Sequence, residues 1–139
     1  AAFDTRISVV AVSCSFDSFP DYYDGNERNW MPGRGWCQSR YMPRLANYRG
    51  RLPQIPFDFP ELLGALAPRP IFISAPKGDT NFRWKSASRC ATAAAKAYSL
   101  LNAKSNLVSL HPDCGHDFPK EVREKAYDFL SEALSVKSK

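Results

Sequence analysis

Short apolar runs alternate with helix-like segments along much of the chain. Residues 7–13 (ISVVAVS), 71–75 (IFISA) and 106–111 (NLVSLH) are largely apolar and β-branched, as is typical of strands buried on both faces. Two longer segments predict helices: the Ala-rich residues 85–103, and a segment opened by Pro119 with apolar residues at helical spacing. Strands that alternate with helices predict parallel pairing with right-handed crossovers, and therefore an α/β fold.

The segment between the first two apolar runs, residues 14–59, has neither a strand nor a helix period. Its Trp and Tyr residues alternate with Arg, Gly and Pro. A segment this long without regular structure is usually functional or contains short helices of its own. A short helix follows, opened by Pro60 and closed before Pro68, and only the Lys- and Ser-rich tail after Leu134 predicts disorder. We expect a single domain over residues 1–139, with 14–59 as an irregular insertion within it.

The composition is that of a globular domain. With 139 residues, 44% of them hydrophobic and 24% charged, the chain can bury a core without disulfide or metal support. No apolar run approaches the length of a membrane span, so a membrane partner is not expected. Four cysteines (Cys14, Cys37, Cys90, Cys114) form no CxxC pair, which favours free thiols and leaves one or two disulfides open. The compartment, cytoplasmic or secreted, is not decided by these features.

Three loops leave the carboxyl ends of the predicted strands, where parallel sheets bind and react. They begin at Ser13, Cys14 and Ser15, or carry Asp79, or carry His116. A carboxylate and an imidazole on neighbouring strand ends suit a pair in which the carboxylate orients the imidazole for proton transfer. The same residues also fit ordinary loops, because GDT is a common turn and a Gly-His pair can satisfy a loop backbone. The residues alone leave both interpretations open.

The second histidine, His111, ends the third predicted strand directly before a proline. We expect it to pack beneath the loop. His111, Cys114 and His116 are conceivable metal ligands by residue type. The short Pro-containing loop opposes their convergence and no fourth ligand is evident, so we predict neither a metal site nor a cofactor. Cys114 as a nucleophile toward His116, two residues away, would require a strained loop.

Two motifs and two helices, taken in their order along the chain, resemble a known family. "PRPIFISAPKGDTNF", then a helix, then "HPDCGHDFP" and a closing amphipathic helix resemble the C-terminal half of an α/β-hydrolase. The branch is that of dienelactone-hydrolase-like and acetyl-xylan-esterase-like enzymes, and the resemblance runs from about residue 1 to residue 134. It implies a three-stranded parallel portion of the hydrolase sheet, with flanking helices and a long irregular insertion after the first strand.

The resemblance also implies an activity, namely serine-dependent hydrolysis of a small carboxylic ester, esterase-like or lipase-like. The triad of this superfamily follows the chain order Ser, Asp or Glu, His. The acid then falls at Asp79 and the general base at His116. Under this interpretation Trp30, Trp36 and Phe82 are candidates for substrate binding, and no cofactor is implied.

The sequence departs from the family at the nucleophile, because no G-x-S-x-G motif occurs in the 139 residues. The opening residues, AAFDTRI, resemble the end of the helix that follows the nucleophile elbow. We therefore expect the serine and the oxyanion-binding amides upstream of Ala1. The nearest substitutes within the chain are Ser13, Cys14 and Ser15, with Ser15 as the candidate of choice. A partial sheet would leave its first strand with an unpaired edge, so we expect a homo-oligomer or a complementary N-terminal segment.

The net charge of +5 is concentrated in the insertion. Between residues 28 and 51 there are six arginines and no acid, which leaves 13 of the 19 Lys and Arg residues against all 14 Asp and Glu residues. The segment could form the wall of an esterase site, bind a polyanion or nucleic acid in a catalytically inactive domain, or pair with carboxylates elsewhere. The hydrolase interpretation also explains Asp79 and His116, which a nucleic-acid face does not. We therefore do not expect nucleic acid as the partner.

Overall fold

A computed structural model of the chain describes residues 1–135. Within them lies one parallel sheet in the order β1 (Val10–Ser13), β2 (Ile71–Ser74) and β3 (Leu107–Leu110). The predicted three-stranded parallel sheet with flanking helices is confirmed. The tail for which disorder was predicted lies outside the described residues from position 136 onward.

The first strand is shorter than the apolar run that predicts it, since residues 7–9 lie outside the ladder. The reason lies in the neighbouring strand, because Pro68 and Pro70 precede β2 and have no N–H groups to donate. The pairing begins where the Val10 amide donates to the Pro70 carbonyl at 3.0 Å. The preceding residues are instead fastened by Arg69, whose Nη1 donates to three backbone carbonyls within residues 1–7 at 2.9, 3.0 and 3.1 Å.

Helices cover both faces of the sheet. Helices α1 (Phe59–Gly64) and α2 (Trp84–Leu100) lie on one face, and α3 (Lys120–Ser135) lies on the other. Because side chains alternate along a strand, Ile71 and Ile73 pack toward α2, while Phe72 packs against α3. The core on the α2 side is lined by small and aromatic residues: Ala87, Cys90, Ala91, Ala94 and Tyr98. Because helices pack on both faces, the sheet holds the loops at its strand ends in position.

The insertion, residues 14–59, is built from five short 3-10 helices and has a core of its own. The helices are Tyr22–Gly25, Glu27–Trp30, Gly35–Cys37, Pro43–Tyr48 and Leu52–Gln54. The core consists of buried Phe19, Trp30, Cys37, Leu45 and Leu52. Short 3-10 helices have no extended apolar stripe, which is why the insertion shows no period in sequence. It is a packed unit rather than a loose loop.

Aromatic contacts and one carboxylate attach the insertion to helix α1, which begins at the last residue of the insertion, Phe59. The Phe59 ring of α1 lies 4.7 Å from Phe16, 5.3 Å from Phe19 and 5.4 Å from Trp36, centroid to centroid. Asp58 caps α1 by accepting from the Phe59 amide at 2.7 Å, and it also accepts from the Phe19 amide at 3.1 Å. The insertion is thereby held against the sheet edge where the strands end.

All four cysteines lie within the described residues and carry free thiols. Among residues 1–135 the structure thus contains no disulfide. Over residues 1–135, no helix combines the length and the apolar character needed to cross a membrane.

Asp17 is a buried carboxyl group at the start of the insertion. It is 0% exposed, its Oδ2 accepts from the Arg83 amide at 3.1 Å, and its Oδ1 has no partner among residues 1–135. Burial raises the pKa of Asp17 from 3.8 to about 6. Since the folded pKa lies above the unfolded one, the protonated form favours folding. That contribution is complete at low pH and is lost as the pH rises through about 6.

Replacing Asp17 with asparagine is expected to remove this part of the pH dependence. Between pH 4.5 and pH 7.5 the unchanged protein should lose about 1–2 kcal/mol of unfolding free energy that Asp17→Asn does not lose. Urea denaturation at the two pH values measures it. Asp113→Asn, at an exposed carboxyl, is the control and should show no comparable shift. Parallel pH profiles for Asp17→Asn and the unchanged protein would contradict the assignment.

Candidate active site

The three loops at the carboxyl end of the sheet meet at one point. Cys14 directly follows β1, Asp79 lies in the loop after β2, and His116 lies in the loop after β3. The Cys14 Sγ, an Asp79 carboxylate oxygen and a His116 ring nitrogen all lie within 4.8 Å of one another. The parallel sheet thus gathers a thiol, a carboxylate and an imidazole that are far apart in sequence.

Asp79 and His116 form a hydrogen-bonded pair. His116 Nδ1 lies 3.0 Å from Asp79 Oδ2 and 3.1 Å from Oδ1. The Asp79 side chain is 1% exposed, whereas that of His116 is 46% exposed. The carboxylate is further fixed because its Oδ1 accepts from the backbone amides of Asn81 at 2.7 Å and Phe82 at 3.2 Å. With Nδ1 facing the carboxylate, Nε2 is the ring nitrogen left to face a reactant.

Backbone hydrogen bonds hold the Asp79 and His116 loops side by side. The Lys77 amide donates to the Pro112 carbonyl, and the Gly78 amide donates to the Cys114 carbonyl, each at 2.9 Å. A Cβ on Gly78 would lie 2.9 Å from that Cys114 carbonyl oxygen, closer than real Cβ atoms approach. Glycine at position 78 therefore allows the close contact that brings the acid to the histidine.

A cleft of about 460 Å³ opens beside His116, between the strand ends and the insertion. Its walls combine aromatic rings with hydroxyl and amide groups: Cys14, Ser15, Tyr22, Gly35, Trp36, Gln38, Tyr41, Asn81, Phe82 and His116. The Phe82 ring lies 6.3 Å from the His116 ring and 6.0 Å from that of Trp36. Aromatic faces with a few polar groups are the usual lining of a small-molecule site.

A larger groove, of about 640 Å³, lies at the opposite end of the strands. It is lined by Ser8, Pro68, Arg69, Pro70, Ser105, Asn106, Val108, Phe129, Glu132 and Ala133. These residues include no histidine, cysteine or aspartate. They come from the amino ends of the strands and from the C-terminal part of α3. The cleft beside His116 is therefore the better candidate for chemistry.

Not all of the residues predicted to bind substrate lie at the cleft. Trp36, Phe82 and Ser15 line the cleft. Trp30 does not, because it is 0% exposed inside the core of the insertion, with its ring 5.8 Å from that of Phe19. The expectation that Trp30 offers a surface to a substrate is therefore wrong. The insertion needs a large apolar side chain for its own core, and Trp30 serves there.

Several residues of the cleft are not predicted by the sequence. Asn81 is the nearest to the pair, with its Nδ2 3.4 Å from His116 Nδ1 and its Oδ1 accepting from the Tyr23 hydroxyl at 3.2 Å. Its position two residues after Asp79 is typical of an Asx turn, and that signal could have revealed it. Tyr22, Gln38 and Tyr41 lie in the insertion, where no period marks which side chains face the cleft.

His111 occupies the structural position that its place at a strand end suggests. Its Nδ1 lies 3.0 Å from the Ala75 carbonyl oxygen, and its ring lies 5.1 Å from that of Trp84. Of the residues that the structure describes, the group of possible metal ligands whose atoms lie within 4.8 Å of one another contains Cys14 and Asp79 with His116, and neither His111 nor Cys114.

The sheet, its helices and the acid–histidine pair at the strand ends define the C-terminal portion of an α/β-hydrolase fold. Solved structures agree. The chain is similar to a carbohydrate esterase family 15 (CE15) glucuronoyl esterase from Caldicellulosiruptor kristjansonii, with 21% identity, a TM-score of 0.75, and coverage of 96% of this chain and 39% of that one. It is also similar to a promiscuous CE15 esterase from a marine bacterial metagenome, with 18% identity, a TM-score of 0.72, and coverage of 95% and 37%.

A third similar structure is a glucuronoyl esterase from Solibacter usitatus, with 17% identity, a TM-score of 0.70, and coverage of 95% of this chain and 38% of that one. The chain thus spans under two fifths of the length of the solved structures it resembles. No protein-family model and no curated protein matches the sequence. At these identities the likeness shows the fold, and it confirms the α/β-hydrolase resemblance at that level.

Proposed function

We propose that this chain supplies the acid and the general base of a serine esterase that cleaves ester bonds on carbohydrates. The observation that carries the proposal is the buried Asp79 carboxylate 3.0 Å from Nδ1 of a half-exposed histidine that lines a polar and aromatic cleft. The esterase names of the structural neighbours support the same class of reaction. The carbohydrate part of the proposal rests on those names and on the cleft lining.

The pair fits the proton transfers of ester hydrolysis. Asp79 accepts a hydrogen bond from the Nδ1–H group, which keeps Nε2 free. Nε2 can then take the proton from a serine hydroxyl as that oxygen attacks the ester carbonyl. The carboxylate stabilises the imidazolium that forms. His116 then gives the proton to the departing alkoxide, and in the second half it activates a water that releases the acid from the serine.

The nucleophile is proposed to lie outside this chain, upstream of Ala1. The in-chain candidates are engaged elsewhere: Ser15 Oγ donates to the Ser13 carbonyl at 2.7 Å, and Cys14 Sγ donates to the Asp117 carbonyl at 3.2 Å. Burial also raises the pKa of the Cys14 thiol, which disfavours the reactive thiolate. Neither Ser15 Oγ nor Cys14 Sγ is hydrogen-bonded to His116, as a relocated nucleophile would be.

The cleft offers surfaces suited to a sugar. Trp36 and Tyr41 lie 5.8 Å apart, centroid to centroid, and Tyr41 is 52% exposed. Gln38 lines the same wall, and its Nε2 donates to the Gly35 carbonyl at 3.1 Å. Aromatic faces pack against the C–H faces of a sugar ring, while the amide and hydroxyl groups provide hydrogen bonds.

The test is an ester panel, assayed with a protein that joins these residues to the sequence encoded upstream. Acetylated xylo-oligosaccharides and the benzyl ester of glucuronic acid are compared with p-nitrophenyl acetate. At least one carbohydrate ester should be turned over, with a kcat/KM about 10-fold or more above that of p-nitrophenyl acetate. Asp113→Asn is the control and should leave these values unchanged. If neither carbohydrate ester is hydrolysed, the proposed substrate class is wrong.

The alternative of a polyanion-binding module has one observation in its favour. The six arginines of the insertion are all exposed: Arg28, Arg34, Arg40, Arg44, Arg49 and Arg51. However, Trp30 is wholly buried, so it offers no ring on which a base could stack. Some of the arginines are also engaged locally, since Arg51 donates to the Asn47 carbonyl and Arg40 lies over the Tyr41 ring. The esterase proposal explains more of the structure.

Association is a further expected property, which follows from the edge of the sheet. Among residues 1–135, β1 pairs with β2 on one side only. An unpaired strand edge favours pairing with another chain. Light scattering of the 139-residue chain at micromolar concentration should report a dimer or a larger particle. A well-folded and strictly monomeric chain would contradict this prediction and indicate that the edge is covered from within.

A further inference from the structure

We propose that Cys14, Asp79 and His116 form a reversible binding site for a thiophilic divalent cation such as Zn²⁺. The three ligand atoms are a sulfur, an oxygen and a nitrogen within 4.8 Å of one another. Zn²⁺ binds these donor types in sites with three protein ligands and an open fourth position. The inhibition of the esterase that such binding would cause rests on the proposed function, whereas the binding itself does not.

The present geometry is close to what the cation requires. With Zn–S near 2.3 Å and Zn–N and Zn–O near 2.0–2.2 Å, tetrahedral ligand atoms lie about 3.3–3.6 Å apart. His116 Nδ1 and Asp79 Oδ2 are 3.0 Å apart, so a cation between them requires only a slight widening. Cys14 Sγ, at no more than 4.8 Å, has to approach by about 1 Å, so the Cys14 side chain must shift when the cation binds.

The ligands differ in how firmly they are held. The Asp79 carboxylate is fixed by the Asn81 and Phe82 amides, and its side chain is 1% exposed. His116 is half exposed. Within residues 1–135 the hydrogen bonds of the Cys14 thiol are to the Asp117 carbonyl at 3.2 Å and the Ser13 hydroxyl at 3.5 Å. A rigid carboxylate with two adjustable partners suits capture of a cation from solvent. The neighbouring cleft leaves the fourth position open to water.

Occupancy would withdraw His116 from proton transfer. Binding forms bonds from the metal to Sγ, to a carboxylate oxygen and to Nδ1. It releases the proton of the Cys14 thiol, while the neutral imidazole keeps its single proton on Nε2 and so offers the lone pair of Nδ1 to the metal. The cation then occupies the space between the imidazole and its orienting carboxylate. An imidazole bound in this way loses the Asp79 contact that stabilises its protonated form, so the esterase should be inhibited until a chelator removes the metal. The reaction itself uses no resident metal in this scheme.

Cobalt(II) is the probe of choice, because a bound thiolate gives a ligand-to-metal absorption band and tetrahedral Co²⁺ gives a distinct visible spectrum. The reduced 139-residue chain should bind one Co²⁺ with both features, and one equivalent of Zn²⁺ should bleach them. Cys14→Ser should abolish the thiolate band and raise the Co²⁺ dissociation constant about 30-fold or more. Cys114→Ser is the matched control and should change it less than about 2-fold.

Asp79→Asn provides a second variant that keeps the thiol, and it should weaken Co²⁺ binding about 10-fold. Circular dichroism checks that each variant is folded. The inference is overturned if the chain shows no thiolate band, if Cys14→Ser keeps it, or if Cys114→Ser loses it equally. These spectra require no ester. Metal binding without esterase activity would therefore refute only the proposed function, and activity without the Co²⁺ bands would refute only this inference.

Discussion

Replacing His116 with alanine is expected to lower kcat/KM for ester hydrolysis by about 10⁴- to 10⁶-fold in the protein joined to its upstream sequence. Without the imidazole, nothing takes the proton from the attacking serine or returns it to the leaving group. Asp79→Asn should cost less, about 10⁴-fold, because the ring remains but loses the carboxylate that sets its tautomer. Steady-state kinetics on the most reactive ester of the panel measures both effects.

His111→Asn is the control for the histidine substitution. His111 bonds to the Ala75 carbonyl and packs on Trp84, so this change should lower stability but keep kcat within about 10-fold in the folded protein. A His116→Ala variant that retains kcat/KM within 10-fold of the unchanged protein would show that the pair is structural. The proposed mechanism would then be wrong.

The isolated 139 residues are expected to hydrolyse p-nitrophenyl acetate feebly or not at all. A histidine and an aspartate can assist water, but loss of the serine alone costs about 10⁶-fold in a triad enzyme. Loss of even one oxyanion donor costs about 100- to 1000-fold more. The turnover rate of the isolated chain should therefore fall at least 10⁵-fold below that of the protein joined to its upstream sequence.

The isolated chain with His116→Ala sets the background for that assay. Residual hydrolysis that the substitution does not lower is unrelated to the pair. Robust turnover by the isolated chain, lost on His116→Ala, would instead mean that a nucleophile lies within residues 1–139. Ser15 would then be the first residue to replace, because it lines the same cleft as His116.

The sheet and the place of the pair could be predicted from sequence because few alternatives exist for buried parallel strands. Ile71 and its neighbours form a continuous apolar run, and the loops after such strands necessarily share one edge. The same reasoning expected Asp79 and His116 to be close, and the structure places them 3.0 Å apart. The sequence predicts too long a β1, because the start of its pairing depends on the prolines that precede β2 rather than on its own residues.

The wall of the cleft could not be predicted in the same way. In the insertion, 3-10 helices give no period that distinguishes inward from outward side chains, so Trp30 and Trp36 looked alike in sequence. The structure buries Trp30 and leaves Trp36 on the cleft. The sequence does not indicate Cys14 as a metal ligand, because its approach to both Asp79 and His116 depends on the packing of three loops.

Labelling with a serine-directed phosphonate, followed by peptide mass mapping, tests the central claim most directly. The protein joined to its upstream sequence should be labelled once, on a serine N-terminal to Ala1, and His116→Ala should slow the labelling about 10³-fold or more. Labelling at Ser13 or Ser15 would establish a nucleophile within the chain. An absence of labelling, with esterase activity that survives His116→Ala, would contradict the proposed hydrolase mechanism altogether.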